Sequence, residues 1–297
     1  GQARGTLQLG QPAFIAERTG LPVISDFRAA DVAAGGQGAP LASTLDALWL
    51  APAVGEAPDG TRRAALNLGG IANITIVGNY GDPVVAFDTG PANCLMDLEA
   101  VRQTAGAKSS DIDGLIALGG GLDARLLASL MREPYFALAP PKSTGRELFD
   151  AAYLASHMAD LPPIADATIM MTLVHLTALT VANACRAAGV TEVIASGGGV
   201  RNPVLMAVLA RFLGPIGLTT AEARGLPSAA KEAYLFALLG FLTWHGLPGT
   251  VPGATGSIVP RILGRLSPGH APLRLPDPAP PPTRLRISRS PRVGSAS

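Results

Sequence analysis

The stretch AALNLGGIANITIVGNYGDPVVAF, residues 64–87, decides how this chain folds. Ala64 to Leu68, Asn73 to Val77 and Val84 to Phe87 are short apolar runs, separated by Gly69-Gly70 and by Gly78-Asn79-Tyr80-Gly81-Asp82-Pro83. Runs of that length bounded by turn residues predict a three-strand meander. Further along the chain the period changes. Residues 91–106, 122–132, 146–160, 167–189, 202–214 and 228–246 carry apolar side chains at helical spacing. Between two of these predicted helices, Glu192-Val193-Ile194-Ala195 reads as a strand that ends in Ser196-Gly197-Gly198-Gly199. Upstream, Leu21 to Ser25 reads as a strand running into Asp26-Phe27-Arg28 after a loop-rich opening. A meander followed by alternating helices and strands is an α/β layer architecture.

Composition supports a buried core. Of 297 residues 48% are hydrophobic and 15% charged, which excludes a chain disordered throughout. Cys94 and Cys185 lack the spacing of a disulfide framework or a zinc site, so no structural metal is expected and a reducing compartment, the cytoplasm, is. The apolar stretch 167–184 is interrupted by Thr168, Thr172, His175, Thr177, Thr180 and Asn183, which predicts a buried helix rather than a bilayer span, and no membrane partner. The formal charge of +1 hides an asymmetry: residues 271–297 hold Arg274, Arg284, Arg286, Arg289 and Arg292 against Asp277 alone. Residues 267–297 therefore read as a disordered Pro/Arg-rich tail, and without interleaved aromatics no nucleic-acid partner is expected.

Four loops carry the candidate chemistry. Residues 26–40 set Asp26, Arg28 and Asp31 beside a glycine run. Asn67-Leu68-Gly69-Gly70-Ile71-Ala72-Asn73 is a tight hairpin whose glycines allow close approach of an anion. Asp88-Thr89-Gly90-Pro91-Ala92-Asn93 puts an acid at a strand end, and Ser196 to Pro203 joins a strand to a helix N-terminus, where a nucleotide is favoured. Each alone is also explained by turns and caps. The chain holds no G-x-x-x-x-G-K-[ST] phosphate loop, no G-x-G-x-x-G after a strand and no G-x-S-x-G.

In combination the loops are more specific. TLQLGQPAFIAERTGLPVISDFRAADVAAGGQGAPL (6–41), LNLGGIANIT (66–75), FDTGPAN (87–93), PPKSTGRELFD (140–150), ASGGGVRNP (195–203) and KEAYLFALLG (231–240) stand in the order in which the anhydro-N-acetylmuramic acid kinase family carries them, and the chain resembles that family over about residues 5–266. The resemblance implies the actin-like (ribonuclease H-like) fold shared by actin, hexokinase and Hsp70. It also implies a double reaction, in which water opens the 1,6-anhydro bridge of the sugar while the freed O6 accepts the γ-phosphoryl group of ATP, with Mg²⁺ bridging the phosphates. The product would be N-acetylmuramic acid 6-phosphate, an intermediate of cell-wall recycling. Asp31 matches the family's catalytic aspartate. Asn67, Gly69, Gly70 and Asn73 on the phosphate side, and Gly197, Gly198, Gly199 and Asn202 on the nucleoside side, are the expected nucleotide contacts. Arg28, Asp88, Asn93, Lys142, Arg146 and Glu232 are the expected sugar contacts, with Arg28 suited to a carboxylate.

Members of the family begin with a further lobe that carries a phosphate loop, and this chain does not contain it. Residues 1–266 are accordingly expected to be the second lobe, inactive alone, with exposed apolar surface that favours self-association such as a homodimer. Two other readings stay open, an inactive nucleotide-binding or scaffold fragment of the same fold and a carbohydrate kinase that does not hydrolyse its substrate.

Overall fold

A computed structural model describes residues 5–52, 58, 60–79, 81–277 and 279–287. In chain order the elements are α1 (Pro12–Thr19), β1 (Val23–Ser25), α2 (Ala29–Ala33), α3 (Ala42–Leu50), β2 (Arg63–Leu68), β3 (Ile71–Val77), β4 (Val85–Pro91), α4 (Asn93–Gln103), α5 (Leu115–Leu118) and α6 (Ala124–Leu130). They continue with α7 (Ala151–Met158), α8 (Asp166–Ala187), β5 (Glu192–Ser196), α9 (Pro203–Leu213), β6 (Gly217–Thr220), α10 (Lys231–Trp244), α11 (Pro252–Thr255) and β7 (Arg265–Ser267). Two compact units divide them: residues 1–57, 77–86 and 229–297 form the first, and residues 58–76 and 87–228 the second.

The expected meander is present. β2, β3 and β4 are consecutive neighbours in a five-stranded sheet of order β4-β3-β2-β5-β6. The Gly69-Gly70 link is too short for a crossover, so β2 and β3 run antiparallel. β2 pairs with β5 in parallel, Arg63 opposite Glu192 and Asn67 opposite Ser196, and β5 pairs in parallel with β6. This register brings the end of the hairpin strand beside the start of the Gly197–Gly199 loop. The α/β class follows from this mixed sheet, whose buried interior residues include Leu66, Leu68, Ile74, Val193 and Ile194, together with the helices that alternate with its strands along the chain, α9 packing on β6.

α8 is the one described helix with the length and hydropathy to cross a membrane, yet two-thirds of that stretch is buried within the protein. It packs against α4, α5, α6 and α9. Its threonines are satisfied within the protein: Thr172 donates to Thr168 O at 2.7 Å inside the helix, and Thr177 donates to Pro91 O at 3.0 Å on β4. These polar interruptions are thus hydrogen-bonded, as expected of a core helix.

The first unit contains three helices that periodicity did not announce, α1 in the loop-rich opening and α2 and α3 after β1. α1 starts at Pro12, its Gln11 side chain accepts from Ala13 N at 3.3 Å, and Gly20 ends it at φ +70°. α2 has five residues, fewer than two turns, so it leaves no period to read. α3 buries polar Ser43, Thr44 and Asp46 together with Leu45 and Leu50. Distant partners meet them: Thr44 donates to Gly249 O at 2.7 Å, and Lys231 pairs with Asp46 at 2.8 Å. β1 and β7 pair antiparallel, Val23 opposite Ser267. From Pro268 to Ile287 the described residues form no helix or strand, though His270 N donates to Gly20 O at 3.0 Å and Leu285 N to Leu48 O at 2.8 Å. Arg289 and Arg292 of the expected tail lie outside the described residues.

Candidate functional site

The second unit gathers the hairpin, the start of α4 and the β5 loop. Ala92 N and Cys94 N both donate to Gly70 O, at 2.9 and 3.0 Å, and Asn93 N donates to Gly69 O at 3.0 Å. The Asn93 side chain donates to Leu68 O at 3.0 Å, so the hairpin carbonyls are capped by the chain that follows β4. Gly197 has φ +89°, and a Cβ there would sit 2.5 Å from Asn67 Oδ1, while one at Gly199 would sit 2.7 Å from Leu68 Cβ. Both glycines are required by close approach to the end of β2. Gly198 differs, because nothing lies nearer than 3.8 Å to a Cβ built on it. It lines a cavity of about 490 Å³ together with Asn93, Gly199, Asn202, Asp97 and Asp111.

Asn202 caps α9, its Oδ1 accepting from Val204 N at 3.0 Å and Leu205 N at 3.1 Å. Asn73 sits half-buried on β3 and its side chain makes no hydrogen bond among the described residues. Asp97 and Asp111 were not singled out in the sequence, because neither stands in a glycine loop. Burial raises the Asp97 carboxyl above its usual range, and the Arg146 charge works in the opposite direction. Asp111 accepts from Ile116 N at 2.7 Å and Ala117 N at 3.1 Å, which fixes the rim of the cavity.

The sequence expects Asp88 at a strand end; in the structure it stands in the middle of β4, half-buried. Its Oδ2 accepts from Ser143 Oγ and Thr144 N, both at 2.9 Å, and its carbonyl accepts from Tyr135 Oη at 2.7 Å. Oδ1 has no partner among the described residues. The segment PPKSTGRE is thereby tied along the middle of β4, with Asp88 N donating to Lys142 O at 3.1 Å. Lys142 itself faces other groups. Its Nζ donates to Tyr135 O at 3.1 Å and Phe136 O at 3.2 Å and lies 4.7 Å over the Tyr135 ring. Desolvation there holds its ammonium below the usual lysine range. Arg146 is exposed, donates no hydrogen bond among the described residues, and lies so that a Cβ on Gly70 would be 3.1 Å from its Nη2.

The first unit holds Arg28, Asp31 and Glu232. Asp31, expected as the base, is fully buried. Its Oδ2 accepts from Gly38 N and its Oδ1 from Thr255 Oγ1, both at 2.7 Å. No carboxylate oxygen faces water in this arrangement. Arg28 donates from Nη1 to Gly38 O at 2.7 Å. Glu232 is exposed in the first turn of α10 and its side chain makes no hydrogen bond among the described residues. Asp26, at φ +55°, pairs with Arg265 at 2.9 Å. Among the described residues no group of three or more His, Cys, Asp or Glu could hold a metal ion.

Against this geometry stand the comparisons with known proteins. The family model described as anhydro-N-acetylmuramic acid kinase matches residues 1–269. A protein of that name from Streptomyces coelicolor is 53% identical over 292 residues, covering 98% of this chain and 73% of its own length. Its namesake from Rhodococcus erythropolis is 48% identical over 274 residues, 90% of this chain and 68% of the relative. Among solved structures, the activator of the 2-hydroxyisocaproyl-CoA dehydratase from Clostridium difficile with bound ADPNP aligns at 17% identity and a TM-score of 0.39, over 66% of this chain and 63% of that one.

Proposed function

As this chain belongs to the anhydro-N-acetylmuramic acid kinase family, we propose that it transfers the γ-phosphoryl group of ATP to O6 of 1,6-anhydro-N-acetylmuramic acid while water opens the anhydro bridge. In the reaction the water oxygen bonds to C1 as the C1–O6 bond breaks, and O6 bonds to the γ-phosphorus as ADP leaves. A carboxylate takes the proton lost by water, because water is a poor nucleophile at neutral pH. The remaining demand is positioning and charge neutralisation.

The resemblance gives the proton to Asp31. Its burial and its two 2.7 Å hydrogen bonds argue for a different acceptor, since water reaches neither oxygen unless the loop opens. Asp88 needs no such opening, and its Oδ1, without a partner among the described residues, is the observation that carries this reading. Arg146 beside the Gly69-Gly70 turn suits an anionic group of either substrate. The cavity at Gly198, Gly199 and Asn202 suits the nucleoside, with Asn67 and Asn73 lending amides near the hairpin. Lys142, spent on two carbonyls, orders the Tyr135 turn rather than reaching for sugar. Glu232 and Asn93 remain candidates for hydroxyl and N-acetyl groups. Mg²⁺ on the phosphates of ATP would supply charge neutralisation, and no step is assigned to a metal held by the protein. The setting we propose is cytoplasmic recycling of amino sugars from peptidoglycan.

Turnover in ¹⁸O-labelled water tests the coupling. The label is expected on the anomeric hydroxyl of the phosphorylated product. Product without label would mean simple phosphorylation of a hydroxyl, and the reading would fall to an ordinary sugar kinase.

A further inference from the structure

The first unit contains a buried relay that the proposed chemistry leaves unused. Asp31 Oδ2 accepts from Gly38 N, and the carbonyl of the same Gly38 accepts from Arg28 Nη1, each at 2.7 Å. On the other side Asp31 Oδ1 accepts from Thr255 Oγ1 at 2.7 Å, and Gln37 N donates to Thr255 O at 2.9 Å. The Thr255 hydroxyl has one proton, so with that proton on Asp31 the Ser257 hydroxyl, 3.2 Å away, donates to it. Thr255 and Ser257 are both buried. Gly36 lies directly over the carboxylate, where a Cβ would overlap Asp31 Oδ2, and Gly38 has φ +72°. The loop is therefore shaped around one carboxylate, and its outer end is Arg28.

Arg28 lines a cavity of about 480 Å³ with Gln8, Phe27 and Phe236. Beyond the bond to Gly38, its guanidinium donates to no described residue. Asp26, in the same cavity, is paired with Arg265 instead. A cavity with apolar walls and one half-used guanidinium fork fits a carboxylate borne on a small organic molecule.

We propose that Asp31 is a positioning residue, which through Gly38 sets the Arg28 fork for the carboxylate of the sugar substrate, with Thr255 locking Asp31 in place. This rests on the reading that the substrate is an anhydro sugar carrying a lactyl ether. It separates two roles that the resemblance merges, because a base acts on kcat whereas a preset fork acts on binding of one substrate group.

The test compares two sugars in the full-length enzyme: 1,6-anhydro-N-acetylmuramic acid and 1,6-anhydro-N-acetylglucosamine, which lacks the carboxylate. Asp31→Asn and Thr255→Val are expected to raise KM for the first sugar by about 10-fold or more, the usual scale of one charge-assisted hydrogen bond, while turnover at saturation stays within about 3-fold of the parent. KM for the second sugar should be unmoved, and Thr255→Ser should restore the first. Arg28→Met should reproduce the defect, and adding Thr255→Val to it should cost nothing more. If Asp31→Asn does not fold, the Thr255→Val and Thr255→Ser pair carries the same comparison. Turnover slowed by about two orders of magnitude at unchanged KM, the mark of a lost base, or equal losses on both sugars, would overturn the proposal. Calorimetric binding of N-acetylmuramic acid reads the same differences without turnover, so an enzyme that binds this acid through Arg28 but fails the ¹⁸O test would sink the proposed reaction and leave the relay standing.

Discussion

Asp31 and Asp88 begin from similar material, an aspartate in a motif that also holds glycine, and end in opposite states, the first in α2 and the second within β4. Asp31 is enclosed, with both oxygens engaged and Gly36 pressed on the carboxylate. Asp88 is held from one side, by Ser143 and Thr144 on Oδ2, and keeps Oδ1 unengaged. A carboxylate fully satisfied by its own protein organises the chain around it. One satisfied on a single oxygen is oriented and still has capacity to accept, the arrangement that acid–base chemistry needs.

The largest effect expected from this difference is in Asp88→Asn, which should slow turnover by at least ~10²-fold in a protein that folds and still binds nucleotide. Near-normal turnover in rapid-quench assays of that variant would break the comparison, because the carboxylate with a free oxygen would then have no chemical role. Gly36→Ala should act on stability instead. The added methyl must displace a buried carboxylate, at a cost of about 1–3 kcal/mol, whereas Gly121→Ala, with nothing within 4 Å of the new atom, should melt close to the parent. Equal melting temperatures for the two would show that the Asp31 loop is looser than its hydrogen bonds suggest.

A smaller change is expected of Tyr135→Phe, which removes the 2.7 Å hydrogen bond to Asp88 O. Chemical denaturation should register a loss of about 0.5–1.5 kcal/mol, and turnover should fall only if β4 shifts. Smallest is a pH effect at one histidine. His157 shares a hydrogen bond of 3.0 Å with Ser129, and burial first, then the Arg132 charge, hold its imidazole below the ordinary 6.5. The folded state therefore binds its proton less readily than the unfolded state, so this stability is complete above pH 6.5 and is lost as pH falls through the lowered value. Thermal melts from about pH 7.5 to about pH 5 should show a slightly steeper decline for the parent than for His157→Gln.

What could be read in the residues was local. The Gly69-Gly70 turn lies between the strands it joins, the polar interruptions of α8 lie within its own turns, and Asn202 caps a helix that starts at the next residue. Helices α2 and α3 were not legible, the first for its length and the second because its buried Thr44 finds its acceptor 205 residues away. The candidate site divides in the same manner. Gly197 and Gly199 stood out as a loop, and the structure supplies their reason in Asn67 and Leu68 across a parallel strand pair. Lys142 looked like a substrate contact in its motif, and its ammonium donates to the carbonyls of Tyr135 and Phe136, acceptors that the motif does not contain.

The sequence by itself determined the α/β class, the meander and the order of the glycine loops, since turn chemistry and hydrophobic period act over a few residues. It also supplied the motif set that the family shares. Tertiary structure alone decided which aspartate is enclosed. Thr255, 224 residues from Asp31, fills one side of that carboxylate with a hydroxyl, and Gly38 fills the other with an amide. Whether an ionisable group is open to water depends on what the rest of the chain places against it, a long-range property that no local pattern encodes.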